Sequence, residues 1–311
     1  MLEVNPWGFD PKYRPWTKPD QLTYITYDQF LQDILAFDEK IPEVDAFVGI
    51  PRSGLIPATI LALQRNVRLT PLQLLYNQPV NCIFKTKLRS NNPAVKRRPK
   101  HIQGRICIID DCCSAEMSTM NEVKRKIANL DCPLKIIYAS VYRAAKTCNI
   151  DYYHRQVPQP RMFQWNFFRH FNMHYTMWDM DGAICEDWTK KEADDVEAYA
   201  KFVQEAKPKV IPEHPILAVV TNRLPRWSTH TKKWLEHHEV LPHRLVMSPY
   251  KDTTQRDAKD KPRGSYKARV YKDSCACLFV ESDVRQARVI ANGSGKVVLT
   301  LDENRLVLPG E

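Results

Sequence analysis

One stretch constrains the first half of this 311-residue chain more than any other: Gly104-Arg-Ile-Cys-Ile-Ile-Asp110-Asp111-Cys-Cys-Ser114-Ala115-Glu116-Met-Ser118. Ile106, Ile108 and Ile109 follow a punctuating glycine and carry β-branched character, which predicts a buried strand. Met120, Val123 and Ile127 then recur at helical spacing, so the hydroxyl-bearing turn from Ser114 to Ser118 lies at a helix N-terminus. Such a turn suits an anion, because unpaired backbone N–H groups and the positive end of the helix dipole both face it. The adjacent carboxylates Asp110 and Asp111 supply acceptors for vicinal sugar hydroxyls, or for Mg²⁺ held through water. Taken alone, Asp-Asp after a strand also describes an ordinary exposed turn.

A second strand-to-helix loop lies upstream, in Val44-Asp-Ala-Phe-Val-Gly49-Ile-Pro51-Arg52-Ser53-Gly54, before an apolar helix around Ala58 to Leu63. Gly49 and Gly54 permit unusual backbone angles, Arg52 offers a forked donor, and Ser53 can cap the helix. Between the two loops Lys85, Lys87, Arg89, Lys96, Arg97, Arg98, Lys100 and His101 form a basic stretch of low apolar content. It fits an anionic ligand, and its composition is equally that of a solvated loop. Residues 1–20 carry Pro6, Trp7, Phe9, Pro11, Tyr13, Pro15 and Trp16 and predict an extended arm, followed by a helix with Phe30, Leu31, Ile34 and Leu35 at apolar spacing.

The two loops, in this order, resemble the pyrophosphate loop and the phosphoribosyl-pyrophosphate (PRPP) motif of type I phosphoribosyltransferases. The resemblance implies PRPP binding by Arg52, Ser53, Gly54, Asp110, Asp111, Ser114, Ala115, Glu116 and Ser118, with the basic stretch as a mobile loop over departing pyrophosphate. Ala115 stands where the family has a hydroxyl residue and Glu116 where it has glycine. The strand Leu134 to Tyr142 and the tail beyond it are similar to the end of xanthine and guanine phosphoribosyltransferases. That similarity implies acceptor contacts from Arg143 or Lys146 and from Phe163 or Trp165, with packing as the other reading of each aromatic.

The second half opens on Tyr175-Thr-Met-Trp-Asp179-Met-Asp181-Gly182, where a strand delivers two carboxylates two residues apart and so to one face. One can attack a phosphoryl group while the other moves protons, and together they help hold Mg²⁺. Three further patterns follow: Pro215 to Thr221-Asn222-Arg223, a strand ending in a hydroxyl; Gly264-Ser-Tyr-Lys267, opening a helix; and Cys277 to Glu281-Ser282-Asp283, a strand ending in acids. The ordered set resembles the four motifs of the haloacid dehalogenase superfamily. It implies catalytic roles for Asp179, Asp181, Thr221 and Lys267, with Lys272 as the rival lysine, and a metal set of Asp179, Asp181, Glu281 and Asp283. His230, His237 and His238 share a helix with Trp234 and Leu235 and read as surface or packing residues. The spacings between motifs leave no room for a full cap domain.

The excess of 46 basic over 36 acidic residues, a net charge of +10, favours anionic ligands and keeps nucleic acid in view. Nine cysteines, an odd number with no paired C-x-x-C, predict buried thiols in a reducing compartment. No apolar run approaches the roughly 20 residues of a membrane span, and Met1-Leu-Glu-Val-Asn-Pro lacks signal-peptide character, so a cytoplasmic protein is expected. The expectation is therefore an α/β chain of two domains. Residues 1–171 form a phosphoribosyltransferase-like parallel sheet, and residues 172–311 a haloacid-dehalogenase-like Rossmannoid domain with a minimal cap. The expected activity is bifunctional: PRPP-dependent transfer to a purine-like, nucleobase-like or nucleotide acceptor, coupled to Mg²⁺-dependent phosphate-ester hydrolysis. The alternatives are a phosphatase regulated by a PRPP-sensing or nucleotide-sensing domain, and a phosphatase of polynucleotide ends. Homo-oligomerisation is compatible with either.

Overall fold

The structure, a computed structural model, describes residues 22–73, 104–129, 135–159, 161–189 and 195–311. The arm expected at residues 1–20 and the basic stretch from Lys85 to His101 lie outside the described residues. The chain divides into two compact units: Tyr27–Gln159, and a second made of residues 22–26 with 161–311. Strand β1 (Thr23–Ile25) belongs to the second, so the division falls before residue 161 and not at Phe171.

In the Tyr27–Gln159 unit, β2 (Ala46–Gly49), β3 (Arg68–Pro71), β4 (Arg105–Cys113), β5 (Lys135–Arg143) and β6 (Tyr152–Gln156) form a parallel sheet in the order β3-β2-β4-β5-β6. Parallel strands are covered on both faces and therefore read as continuous apolar runs, as Ala46–Gly49 and Ile106–Ile109 do. Ala46, Val48, Ile106 and Ile108 pack on Met120, Val123 and Ile127 of the helix Ser118–Ala128, the spacing the sequence predicted. Counted within the unit the order is 2-1-3-4-5, a doubly wound arrangement whose strand order reverses between β2 and β4.

The helix Tyr27–Phe37 is turned differently from its apolar pattern. Phe30, Asp33, Ile34 and Phe37 are buried, whereas Leu31 and Leu35 are 44% and 42% exposed. Asp33 can be buried because its carboxylate is satisfied: the Tyr142 hydroxyl donates at 2.6 Å, Arg155 at 2.8 Å and Gln29 at 2.9 Å.

In the second unit, β8 (Thr176–Trp178), β9 (Ile216–Val220), β10 (Pro242–Val246), β11 (Leu278–Glu281), β12 (Val298–Thr300) and β13 (Arg305–Val307) form one sheet in the order β10-β9-β8-β11-β12-β13. All neighbours are parallel except β13, which runs antiparallel to β12. From β8 the order reads 3-2-1-4-5-6, and it reverses between β8 and β11. Strand β1 pairs in parallel with β7 (Arg161–Phe163), which places Phe163 in this unit. Among the described residues no helix is long and apolar enough to cross a membrane. The seven described cysteines are free thiols, and burial pushes Cys113 and Cys277 up to about 12, which keeps them protonated.

Four histidines gather at the amino edge of the second sheet. His174 and His243 have ring centroids 6.2 Å apart, and His214 is bonded to the Arg169 carbonyl at 3.0 Å. Burial first, and then the charge of His214, holds His170 below the ordinary histidine value; burial, then His243 and His214, does the same for His174. A depressed folded value means that the unfolded chain binds protons more readily, so the contribution to stability is complete above the ordinary value of about 6.5 and lost as pH falls through the folded values. Thermal unfolding should therefore give a lower Tm near pH 5.5 than near pH 7.5, and His170→Gln with His174→Gln should narrow that gap.

Candidate functional site

Each unit gathers its motif residues at the carboxyl edge of its own sheet. In the Tyr27–Gln159 unit the loop after β2 folds onto the end of β4, where the Ile50 N–H donates to the Ile109 carbonyl at 3.0 Å. A Cβ on Gly54 would lie 2.6 Å from the Ile50 oxygen, 2.7 Å from the Ile109 oxygen and 3.0 Å from the Asp110 Cα, so only glycine lets this loop reach the carboxylates. Arg52 projects from the loop and is exposed, and the Pro51–Arg52 peptide is cis. Ser53 does not cap the helix Leu55–Arg65. Gly54 occupies the cap position without a side-chain bond, and Ser53 receives the Ile56 N–H on its carbonyl instead.

Asp110 and Asp111 lie inside β4, not in a turn beyond it. Pairing with β5 continues through Cys112↔Tyr142 and Cys113↔Arg143 after β2 has ended opposite Ile109. Both carboxylates are buried, with 8% and 7% exposure. Burial, and then the neighbouring Asp111 charge, holds Asp110 well above the usual carboxylate range. In the following turn Ala115 and Glu116 are exposed and Ser114 is half-buried. The left-handed residue is Met117, with φ 51°, and it stands at the cap of the helix that Ser118 opens; no side chain caps that helix. Its first N–H groups therefore have no side-chain cap among the described residues, an arrangement that suits an anion.

Arg143 ends β5 with its guanidinium 3.6 Å from the centroid of the Tyr153 ring and its Nε enclosed without a hydrogen-bond partner among the described residues. Lys146 is exposed in the turn beyond, at the same edge. Phe163 and Trp165 stack on each other, 4.6 Å between centroids and 16° between planes, in the second unit.

In the second unit Asp179 follows β8 and donates its N–H to the Val280 carbonyl at 2.9 Å, which draws it against β11. Lys267, from the first turn of the helix Ser265–Lys272, lies 2.8 Å from Asp179 Oδ2 and 2.8 Å from Glu281 Oε2. All three are nearly or fully buried. Burial first, then Glu281, raises Asp179 well above the usual carboxylate range, with Lys267 opposing. Burial alone would lower Lys267, but the two carboxylates raise it above the usual lysine value. Glu281 is turned inward: its Oε1 accepts the Ser282 N–H at 3.0 Å. Lys272, the other lysine weighed for this role, lies at the far end of the same helix.

Asp181 is held by Arg223, which donates from Nε to Oδ1 at 3.0 Å and Oδ2 at 3.1 Å and from NH2 to Oδ1 at 2.5 Å. Gly182 turns the chain with φ +82°, and a Cβ there would meet Ser282 Oγ at 2.3 Å. Thr221 is fully buried and its hydroxyl accepts the Arg223 N–H at 3.1 Å. Asp283 caps the helix Val284–Ser294 by accepting the Arg285 N–H at 2.7 Å. Asp179, Asp181, Lys267 and Asp283 line one cavity of about 410 Å³, whereas Thr221 and Glu281 sit behind its wall.

Further lining residues, among them Trp188, Arg256 and Arg263, carry no motif signal. Asp260 is another residue that pattern reading missed. Its carboxylate accepts the N–H groups of Tyr266 at 2.8 Å and Gly264 at 3.2 Å and the Asn222 amide at 3.2 Å, so it orients the start of the Lys267 helix. Its place just before a Pro-Arg-Gly turn and a helix is the one signal that marks it as a cap. The cavity acids form an all-oxygen donor set suited to a hard divalent cation. As they stand, no group of three or more His, Cys, Asp or Glu side chains among the described residues is placed to hold a metal ion.

No protein-family model matches the sequence, and no curated protein does. Among solved structures the chain is similar to the Helicobacter pylori xanthine-guanine-hypoxanthine phosphoribosyltransferase, with 18% identity, 46% of this chain and 92% of that chain covered, and a TM-score of 0.33. It is similar to a purine phosphoribosyltransferase from Pyrococcus horikoshii, with 24% identity, coverage of 47% and 93%, and a TM-score of 0.33. A third similarity is to a hypothetical protein from Neisseria gonorrhoeae with bound ppGpp, with 18% identity, coverage of 47% and 89%, and a TM-score of 0.32.

Replacing Lys267 by Met should leave Asp179 and Glu281 buried without their shared cation. Chemical denaturation is expected to show a loss of about 3–5 kcal/mol, and adding Glu281→Gln should recover part of it.

Proposed function

We propose that the chain is a two-site enzyme of nucleotide chemistry. The Tyr27–Gln159 unit transfers a phosphoribosyl group from PRPP to a purine-like acceptor, and the second unit hydrolyses a phosphate monoester. The observation that carries this reading is the gathering of each motif set at the carboxyl edge of its own sheet, where the strand order reverses and ligands of open α/β sheets bind. The resemblance of both motif sets to known enzyme families supports the assignment.

In the transferase, Asp110 and Asp111 face the ribose hydroxyls, the open helix start at Ser118 takes the 5′-phosphate, and Arg52 stabilises the pyrophosphate that leaves with the electron pair of the broken C–O bond. Arg143 and Lys146, at the same edge, meet the acceptor. In the hydrolase, Asp179 attacks phosphorus through Oδ1, which has no partner among the described residues, while the ester P–O bond breaks. Asp181, fixed by Arg223, passes a proton to the leaving oxygen and then withdraws one from the water that releases phosphate. Lys267 opposes the rise that burial and Glu281 impose on Asp179, and it aims the carboxylate. Asp179, Asp181 and Asp283 are the residues that would hold Mg²⁺, which would neutralise the phosphoryl oxygens when bound.

A second reading, in which the first unit senses PRPP or a nucleotide and regulates the hydrolase, is favoured by the exposed Glu116 beside the open helix start. Its charge repels a 5′-phosphate by about 1 kcal/mol near solvent.

Asp179→Asn should abolish phosphate release from monoesters and leave pyrophosphate release from PRPP plus a purine base unchanged; phosphatase turnover by the folded variant would overturn the nucleophile assignment. Glu116→Gly should tighten nucleoside monophosphate binding about fivefold in calorimetry without affecting the unphosphorylated nucleoside. Equal binding of both ligand types before and after the change would take Glu116 out of the site.

A further inference from the structure

Four cation–carboxylate pairs among the described residues line the cavity of the second unit, and the three whose acids belong to the motifs differ in how firmly the cation is fixed. Lys267 and Arg223, the partners of Asp179 and Asp181, have side-chain exposures of 2% and 0%. Neither can leave without losing its enclosure. Arg285, the partner of Asp283, has a side-chain exposure of 85%, and its guanidinium grips the carboxylate from both nitrogens, Nε at 3.2 Å from Oδ1 and NH2 at 2.9 Å from Oδ2. An exposed pair of this kind is worth at most about 1 kcal/mol, so a competing cation can displace the arginine. The backbone N–H of Arg285 would still cap Asp283 after the side chain had left, because that bond at 2.7 Å is made by the main chain.

We propose that Arg285 is an exchangeable cation of this cavity: it occupies Asp283 until a divalent metal arrives, then turns into the cleft and binds the substrate phosphate. This rests on the hydrolase reading of the cavity. Arg285 is thereby a substrate-binding residue whose release depends on metal loading, and the two ligands become linked. Metal binding frees the guanidinium that phosphate needs, and phosphate, by holding the guanidinium away, keeps Asp283 open to the metal.

The exchange predicts effects of opposite sign on two ligands, which a purely structural pair would not give. Mg²⁺ alone is titrated calorimetrically into the full-length wild type, Arg285→Ala and Arg285→Lys, and inorganic phosphate is then titrated into each Mg²⁺-saturated protein. Arg285→Ala should bind Mg²⁺ about two- to fivefold more tightly, because its competitor is gone, and phosphate about threefold or more weakly. Arg285→Lys should fall between wild type and Arg285→Ala on both measures, since it restores a charge without the fork. Mg²⁺ affinity that is unchanged or weaker in Arg285→Ala, in a protein whose Tm matches the wild type, overturns the exchange while leaving the hydrolase reading intact. Absence of Mg²⁺ binding in all three proteins overturns the exchange together with the metal set of the hydrolase reading.

Discussion

Lys267 is a single ammonium shared by two buried carboxylates, and the candidate site of the second unit depends on it. Each partner comes from a different strand, Asp179 from the end of β8 and Glu281 from the end of β11, so the lysine ties together the strands at which the sheet order reverses. Two carboxylates with one cation are held at the wall of the cavity with little exposure of their own. The backbone adds a donor to one of them, the Ser282 N–H to Glu281, while the Asp179 N–H fixes that residue to the neighbouring strand. A carboxylate whose ionised form is costly, yet kept close to a fixed positive charge, is a reactive group poised to share that charge with an incoming anion.

The two units solve the same problem in different ways. Asp110 and Asp111 are carried by the strand itself in enclosed positions, next to a loop that only glycine could bring so near. Burial and the neighbouring Asp111 charge both favour the neutral form of Asp110. In the second unit every cavity acid of the motifs already has a cation from the chain, so a ligand must compete with it or share it.

Much of this was legible in the residues. Strand runs, helix starts and the clustering of motif residues at strand ends follow from β-branched periodicity, and Met120, Val123 and Ile127 face the core as their spacing required. What pattern could not show depends on partners distant in sequence. Leu31 and Leu35 look like core positions until Tyr142 and Arg155, more than 100 residues on, make Asp33 the better residue to bury. Asp110 and Asp111 look like the end of a strand until β5 is known to run on beside them. Glu281 looks like a metal ligand until its side chain is found behind the cavity wall, with Oε2 on Lys267 and Oε1 on the Ser282 N–H. Met117 gave no sign of a left-handed backbone, a conformation that glycine or asparagine usually signals.

The pairing of β1 with β7 has a consequence for how the molecule is assembled. Ile25 lies opposite Phe163, and the Gln164 N–H donates to the Ile25 carbonyl, so the whole of Tyr27–Gln159 is an insertion spliced between one short strand and the rest of its sheet partner's unit. During synthesis the inserted unit is complete before the host can close around its own first strand. If the insert has already folded, its compact body shortens the effective tether and the loop-closure entropy of joining β1 to β7 is small; if it has not, the host must close a loop of unfolded chain. Because the pair is parallel, the end of β1 and the start of β7 lie at opposite ends of the ribbon, so excising the insert would require a linker that crosses back along the strands.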